Sequence, residues 1–432
     1  MEEVLAMVGK VAEAAEVFSV SLEETSIHFE ANRLKRLQTK QQTSVALRII
    51  RQGRTGYATS TNLDNRQQLV DSAVETSQFG MAARFELPGY QSYPHVDTYD
   101  ASVETVSNKT MIDLGEAMVT AVTGHTPGIL CDGGAERGSV AVRIINSRGG
   151  DAIYRKSFFD LGIEGTLING TDMLFVGHSE SSCRPILETE RISKAVTRQL
   201  DLAKNMAAAP TKPVPVIFTP DGVAGALILS LIAAFNGKTV LEGASPIGGK
   251  LGQQAFDTKL NLYDDATLPY RPNSRPCDDE GVTSQRTPLI EAGVVANFLY
   301  DLQTAARAGK KSTGNGHRSG GLPSPSPSTF TIAPGNTSFD DMVRGIDEGL
   351  VIERLLGAEQ GNILGGDFSG NVLLGYKIEK GRLVGRVKNI MVSGNVYQML
   401  KEVTLGSEAK WVGGFIQTPH LFFPSISVAS KE

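Results

Sequence analysis

The sequence predicts an α+β fold with two domains that contain antiparallel or mixed sheets. Its 432 residues exceed the usual size of one domain. Helix and strand patterns follow one another without the regular strand–helix–strand repeat of a parallel sheet. The proline-rich segment 207–215 follows a long charged helix pattern, as a linker does. We therefore expect an N-terminal α+β domain over residues 1–210 and a β-rich α+β domain over residues 211–432.

The composition is that of a globular protein, and the charge argues against nucleic acid as a partner. Hydrophobic residues make up 41% of the chain and charged residues 21%. The formal net charge is −5, whereas binding to phosphates needs a basic surface. One basic cluster is predicted to form the solvent-exposed face of a β-meander: Arg33, Lys35, Arg36, Lys40, Arg48, Arg51 and Arg54. We expect no direct contact with nucleic acid.

The expected location is the cytoplasm, without membrane attachment. The chain begins with MEEVLAMVGK, which has acidic residues where a signal peptide has basic ones. The longest apolar run, 223–235, is shorter than the roughly 20 residues that span a bilayer. Cys131, Cys183 and Cys277 are far apart and odd in number, which fits a reducing compartment.

The first half shows two helix–strands–helix units, which suggests an internal duplication. Apolar residues at helical spacing predict an amphipathic helix over 2–17. Asp64 and Ser107 are the predicted N-caps of two further helices. The later elements expected, in order, are strands at 17–22, 26–34, 43–51 and 55–61, helices at 65–79 and 109–123, strands from 139, at 152–159 and at 161–168, and a helix at 188–206.

The second half shows short strands around one apolar helix. Residues 223–235 are apolar on every side, so this helix is predicted to be buried. The triplet EAG at 291–293 predicts a hairpin turn, because glycine accepts the positive φ that such a turn needs. A strand over 294–300 and a helix over 301–308, closed by Gly309, should follow. Further strands are expected at 214–218, 330–333, 350–352, 372–379, 383–388 and 421–429.

The stretch from Asn273 to Arg318 collects polar residues on loops at the ends of the predicted hairpin, where binding groups are common. The candidate substrate-cavity residues are Asp278, Asp279, Glu280, Arg286, Asn315, His317 and Arg318. The three acids are expected to pair with Arg286 and to cap backbone donors; a catalytic carboxylate pair is the alternative. His317 and Arg318 either bind a peptide carboxylate or backbone, or belong to an ordinary exposed loop.

Several runs of the sequence resemble the signature of one family. They are DDEG (278–281), RTPLIEAGV (286–294), KSTGNG (311–316), LEGASPIGGKLGQQ (241–254), VSGNVYQML (392–400) and PSISV (424–428). This chain is similar in these runs to the TldD/TldE family, whose TldE-type members are also called PmbA or modulators of DNA gyrase. The resemblance implies a PmbA/TldD-like fold over essentially the whole chain. It also implies a link to zinc metalloproteases that cleave small or unfolded peptides.

The residues of the family's zinc site are missing from this chain. In the catalytic, TldD-type members, an HExxxH helix and a later cysteine surround the metal, as zinc hydrolysis requires. The matching helix here reads VAGALILSLIAAF (223–235), and none of the six histidines is followed by Glu. The segment 411–420, where the cysteine is expected, contains none, and Cys277 is interpreted as a packing residue. The resemblance therefore implies a TldE/PmbA-type subunit with no catalytic or metal residue.

Zinc is then expected in a TldD-like HExxxH partner, with peptide as substrate, and a homodimer is also possible. His178, Glu180 and Cys183 lie close together in sequence, as a strand end and loop or, alternatively, as metal ligands. Two other functions stay open. One is a protein-binding regulator linked to gyrase, and the other is a self-sufficient homodimer with an unrecognised hydrolase activity, although no GxSxG, Walker or dinucleotide motif is present.

Overall fold

The computed structural model describes residues 1–62 and 64–430 and has the mixed α+β architecture that the sequence predicts. The helices and strands of its first half are α1 Glu2–Val8, β1 Ala14–Glu30, β2 Arg33–Arg51, β3 Arg54–Ser60, α2 Arg66–Ser77, α3 Ser102–Thr105, α4 Asn108–His125, β4 Leu130–Asn146, β5 Asp151–Asn169, β6 Asp172–Ser182 and α5 Glu190–Leu202.

Within the described first half, six strands form one antiparallel sheet in the order β3-β2-β1-β4-β5-β6. The central strands β1 and β4 pair along most of their length, with Val17 opposite Ile145. On each side of this centre, a three-strand meander ends in a helix, α2 on one side and α5 on the other. This symmetric order agrees with the internal duplication expected from the sequence.

The amino-terminal helix is shorter than predicted. It ends at Val8, and β1 begins at Ala14, where residues 2–17 were expected to be one helix. Ala15 and Val17 are buried in the sheet because β1 has a hydrogen-bonded strand on both sides, and this pairing outweighs the helical spacing. The strand expected at 17–22 lies within β1, and the one expected at 26–34 is divided, because β1 ends at Glu30 and β2 begins at Arg33.

One of the two predicted N-caps is correct. The Ser107 side chain accepts the backbone N–H of Thr110 at 3.0 Å at the start of α4. The cap of α2 is Asn65 rather than Asp64, because the Asn65 side chain accepts the Gln68 N–H at 3.1 Å.

The second half has one more long sheet and several short helices. Its helices are α6 Pro220–Val223, α7 Leu229–Phe235, α8 Gly237–Leu241, α9 Leu302–Ala308, α10 Phe339–Arg344 and α11 Val396–Met399. Its strands are β7 Val214–Phe218, β8 Leu262–Asp265, β9 Arg286–Glu291, β10 Val294–Val295, β11 Gly316–His317, β12 Ser324–Pro325, β13 Phe330–Ile332, β14 Glu348–Leu356, β15 Asp367–Glu379, β16 Arg382–Arg386, β17 Ile390–Asn395, β18 Thr404–Val412 and β19 Ile416–Ser430.

Across the described part of this half, eleven strands form a mixed sheet that closes on itself at one end. Strand β19 pairs antiparallel with both β17 and β7, and β7 pairs parallel with β14. With β15 between β14 and β17, these strands make a ring. Phe218 contacts the rings of Phe368 and Phe423 edge-on, at centroid distances of 6.1 and 5.8 Å, inside the apolar core.

The apolar helix predicted at 223–235 exists, and it begins earlier. Helices α6 and α7 are continuous through a π-helical turn at Ala224–Ile228, so we call residues 220–235 the motif helix. Val223, Leu227 and Phe235 are fully buried, but Leu229 is 49% exposed, so the helix is not buried on every side as predicted.

The hairpin turn at 291–293 is confirmed, because Ala292 and Gly293 have φ of 46° and 79° between β9 and β10. The returning strand is shorter than the predicted 294–300, since only Val294–Val295 pairs with β9. Asp301 caps α9, and Gly309 closes it in the left-handed conformation, as expected.

The two halves share an apolar core. Ile192 and Val196 of α5 belong to the same buried cluster as Val351 of β14 and Tyr376 of β15. The first-half sheet therefore packs on the second-half sheet through α4 and α5. No helix within residues 1–62 or 64–430 is long and apolar enough to cross a membrane.

Candidate functional site

The three consecutive acids lie on a tight, buried loop. Asp278 is fully buried, and its carboxylate accepts the backbone N–H groups of Glu280, Val282 and Gly316 at 2.8 to 2.9 Å. Gly281 takes a φ of 72°, which lets the chain turn back immediately after the acids. Asp278 therefore has the backbone-capping role expected for these acids, and it joins this loop to the segment before His317.

Glu280 reaches across to the first half of the chain. Its carboxylate meets Arg48 at 2.5 Å and accepts the N–H of Leu302 at the start of α9 at 2.7 Å. The other guanidinium nitrogen of Arg48 contacts Glu16 at 2.9 Å, and Arg318 pairs with the second oxygen of Glu16. The side chains of all four charged residues are at most 4% exposed. This arrangement is a buried ion network between β1, β2 and the central loops.

Asp279 is the third member of the acid triplet and makes its own contacts. It pairs with Arg275 at 3.0 Å, with the His317 ring at 3.0 Å and with the backbone N–H of Arg318 at 2.8 Å. Burial alone would raise the pKa of Asp279, but Arg275 and His317 outweigh it and lower the pKa to about 2. Asp279 is therefore a charged anchor for the loop that carries His317 and Arg318.

The pKa values of the two neighbouring carboxyls, Asp278 and Glu280, are raised instead. Burial raises the pKa of Glu280, and Arg48 only partly opposes it. Burial likewise raises the pKa of Asp278, although Arg275 and three backbone donors favour its charged form. The acids are thus held by contacts inside the protein, and none of their oxygens is presented to solvent as an exposed catalytic pair would be.

Arg286 does not pair with the acids, contrary to our expectation. Arg286 lies on β9 and stacks over the ring of Tyr263, 3.8 Å from its centroid. Arg48 pairs with Glu280 and Arg275 with Asp279, and the Arg318 side chain donates to the backbone carbonyl of Asp279. Arg48, predicted to be solvent-exposed, is only 3% exposed.

The remaining predicted residues differ in access to solvent. Asn315 is buried, and its amide donates to Asp264 at 2.7 Å and to the Ser326 carbonyl. The side chain of His317 is 49% exposed. Of the candidate cavity residues, His317 and Arg286 are therefore the two with exposed side chains that a ligand can reach. Sequence reasoning missed Glu16, which is far from the acids in sequence, and Arg275, which lies four residues before Asp279.

The possible metal ligands around 178–183 do not converge. His178 lies 3.7 Å from Glu180, but the Glu180 carboxylate pairs with Arg191. Cys183 is fully buried, and burial raises the pKa of its thiol to about 11, which disfavours the thiolate that binds metal. Within the described ranges of the chain, no three His, Cys, Asp or Glu side chains are placed to hold one ion. The segment therefore resembles the strand end and loop of our first interpretation.

Two protein-family models match this chain. PmbA/TldA metallopeptidase C-terminal domain matches residues 211–430, and PmbA/TldA metallopeptidase domain 1 matches residues 15–77. The fold and these matches define a metallopeptidase-like α+β protein. Because the first match alone covers more than half of the sequence, the chain belongs to the PmbA/TldD family.

Similarity to other proteins extends along the whole chain. An uncharacterised protein of Methanocaldococcus jannaschii is 29% identical over 415 residues, 94% of each chain. The crystal structure of TldE from Thermococcus kodakarensis has a TM-score of 0.89 at 22% identity and covers 100% of both chains. A crystal structure from Thermotoga maritima, described as a putative modulator of a DNA gyrase, has a TM-score of 0.88 at 23% identity and covers 99% of both. The two structures show that the fold is shared.

Proposed function

We propose that this chain is the non-catalytic, TldE/PmbA-type subunit of a cytoplasmic zinc metallopeptidase that cleaves small or unfolded peptides. A TldD-like HExxxH homologue supplies the metal site. The observation that carries the proposal is the motif helix, which has a π-helical turn but no His, Glu or Cys side chain.

That geometry fits a helix that once carried the family's motif. The two histidines of HExxxH are five residues apart, whereas an ordinary α-helix aligns residues three or four apart. A π turn has i→i+5 hydrogen bonding and brings residues five apart onto one face. The motif helix has such a turn at Ala224–Ile228, and the residues there read AGALI. A metal helix that has lost its ligands explains both the turn and the sequence.

The role of such a subunit is to shape the cavity and hold the peptide. Main-chain pairing to a sheet edge holds an extended peptide without reading its sequence. Strands β3 and β6 end the first-half sheet, and β10 ends the second-half sheet, so edges are available. His317 and Arg286 are the exposed members of the candidate site and add polar contacts.

The test is purification of the chain with and without an HExxxH homologue, followed by elemental analysis. We expect the isolated chain to bind no stoichiometric zinc and to form a stable complex in which about one zinc accompanies the homologue. A matched preparation of the Cys183→Ala variant should give the same result. About one zinc per isolated chain, lost in Cys183→Ala, would instead favour the self-sufficient homodimer.

A further inference from the structure

A cavity of about 410 Å³ lies between α5 and the second-half sheet, away from the acid network. Its wall includes Tyr376 of β15, which is 1% exposed. The Tyr376 hydroxyl has no hydrogen-bond partner among the described residues. A buried hydroxyl without a partner is costly, and its residue lies in the wall of a cavity that could hold a ligand.

Two cations line this cavity without carboxylate partners. Arg198 projects from α5 and Lys410 from β18. Neither forms an ion pair with a side chain in the described part of the chain, although many other surface cations do. Both lie close enough to His420 to add to the effect of burial, which lowers the pKa of this histidine to about 4. The cavity therefore has two cations in its wall that are available to an anionic group.

Carboxyl groups line the same cavity. Glu353 of β14 and Asp221 of the motif helix face the cavity, with Asp340 and Glu408 also in its wall. None of these four forms an ion pair within residues 1–62 or 64–430. Burial raises the pKa of Glu353 to about 7; Asp221 adds to this effect and Arg198 opposes it. The cations and the carboxyls thus share one cavity but do not neutralise each other by direct contact.

We propose that this cavity binds a small zwitterion with one ammonium and one carboxylate group, as found in a free amino acid or a short unblocked peptide. A ligand of one charge would leave one of the two unpaired sets without a partner, whereas a zwitterion satisfies both. The cavity volume lies within the usual range of small-molecule sites.

The remaining walls suit the apolar part of such a ligand. The rings of Phe339 and His420 stack at 4.6 Å, and Trp411 lies beside them. The unpaired Tyr376 hydroxyl supplies a hydrogen bond to the polar end. The inference goes beyond the proposed subunit role and does not depend on it, since binding is a property of this chain alone.

Trp411 makes the test specific, because it is the single tryptophan of the sequence and lines the cavity. The full chain is titrated with leucine and with leucyl-leucine while the tryptophan emission is recorded. We expect a saturable change with at least one of them, below about 10 mM. Saturation by leucine alone identifies a free amino acid, and saturation by the dipeptide alone identifies a short peptide. No saturable change with either overturns the proposal.

Blocked ligands and variants test the two charges separately. N-acetyl-leucine lacks the ammonium and leucinamide lacks the carboxylate, and each should bind at least about tenfold more weakly. Arg198→Gln should weaken binding of the zwitterion by about the same factor. Lys194→Gln, on the same helix and outside the cavity, should leave this binding unchanged. The assignment would be overturned if the blocked ligands bound as tightly as the zwitterion. It would also be overturned if Arg198→Gln bound the zwitterion as tightly as the wild type.

Discussion

Arg48 is the residue on which the buried ion network depends. It bridges Glu16, 32 residues before it in the sequence, and Glu280, 232 residues after it. Burial disfavours the Arg48 charge, but the two carboxylates outweigh burial and raise its pKa. Removing the guanidinium would leave Glu280 buried without a cation and Glu16 with Arg318 alone.

Arg48→Met should therefore lower the free energy of unfolding by about 3–5 kcal/mol, because breaking a buried ion network leaves uncompensated charge. Urea unfolding followed by circular dichroism measures this change. The control is Arg33→Met on the same strand, where the side chain is exposed and the cost should be below about 0.5 kcal/mol. Equal stability of the two variants would contradict the network.

Glu353 gives a prediction for pH. Its pKa is raised by burial to about 7, from about 4.3 in an unfolded chain. The folded state therefore favours the protonated form, and this contribution to stability is fully present below about pH 4 and lost as pH rises through about 7. In Glu353→Gln the loss, at most about 4 kcal/mol, should disappear from the profile of unfolding free energy against pH. The exposed Glu359→Gln is the control, and parallel profiles for wild type and Glu353→Gln would refute the shift.

At the residue scale, the sequence predicted which side chains matter better than what they contact. The acid triplet was identified, yet its partner was expected to be the nearby Arg286. Glu16 and Arg48 stand directly opposite each other on β1 and β2, but this pair is visible only once the strand register is known. Partners that lie far apart in sequence leave no local pattern.

At the scale of elements, the hairpin turn at Gly293 tests how backbone conformation and packing combine. Gly293 has a φ of 79°, and an added Cβ would lie 2.2 Å from Gln254 Nε2 and 2.5 Å from the Phe256 carbonyl oxygen. Gly53 has a similar φ of 66° in the β2–β3 turn, with open space around its position. The two glycines differ in surroundings but not in backbone region.

Gly53→Ala should cost about 1–2 kcal/mol from the left-handed conformation alone. Gly293→Ala should cost a further 1–3 kcal/mol or so, because the clash forces neighbouring backbone to move. Thermal unfolding of both variants compares them directly. A smaller loss for Gly293→Ala than for Gly53→Ala would show that the turn is not tightly packed.

Short elements with strong local signals were predicted well, and long ones less so. Ser107 caps the start of α4 and Gly309 closes α9, as their residue types indicate. The length of β1 and the early end of α1 depend instead on pairing with β2 and β4, which periodicity along one segment does not reveal. The π turn in the motif helix also has no signature in single-residue propensities.

At the scale of the whole molecule, the ion network and the shared apolar core join the two halves. Arg48 and Glu16 belong to the first-half sheet, whereas Glu280 and Arg318 belong to the central loops of the second half. A chain stiffened in this way presents fixed surfaces to a partner. We expect the assembled complex with an HExxxH homologue to bury more than about 2,000 Å², as permanent assemblies do.

The partner-subunit role is tested by peptide cleavage with this chain alone, with the HExxxH homologue alone and with the two mixed. An unstructured peptide is incubated with this chain, with the HExxxH homologue and with an equimolar mixture, at equal zinc. We expect cleavage by the mixture and little or none by either chain alone, with the two chains eluting together in gel filtration. Full-rate cleavage by the homologue alone, or elution of this chain as a separate monomer beside it, would contradict the partner-subunit role.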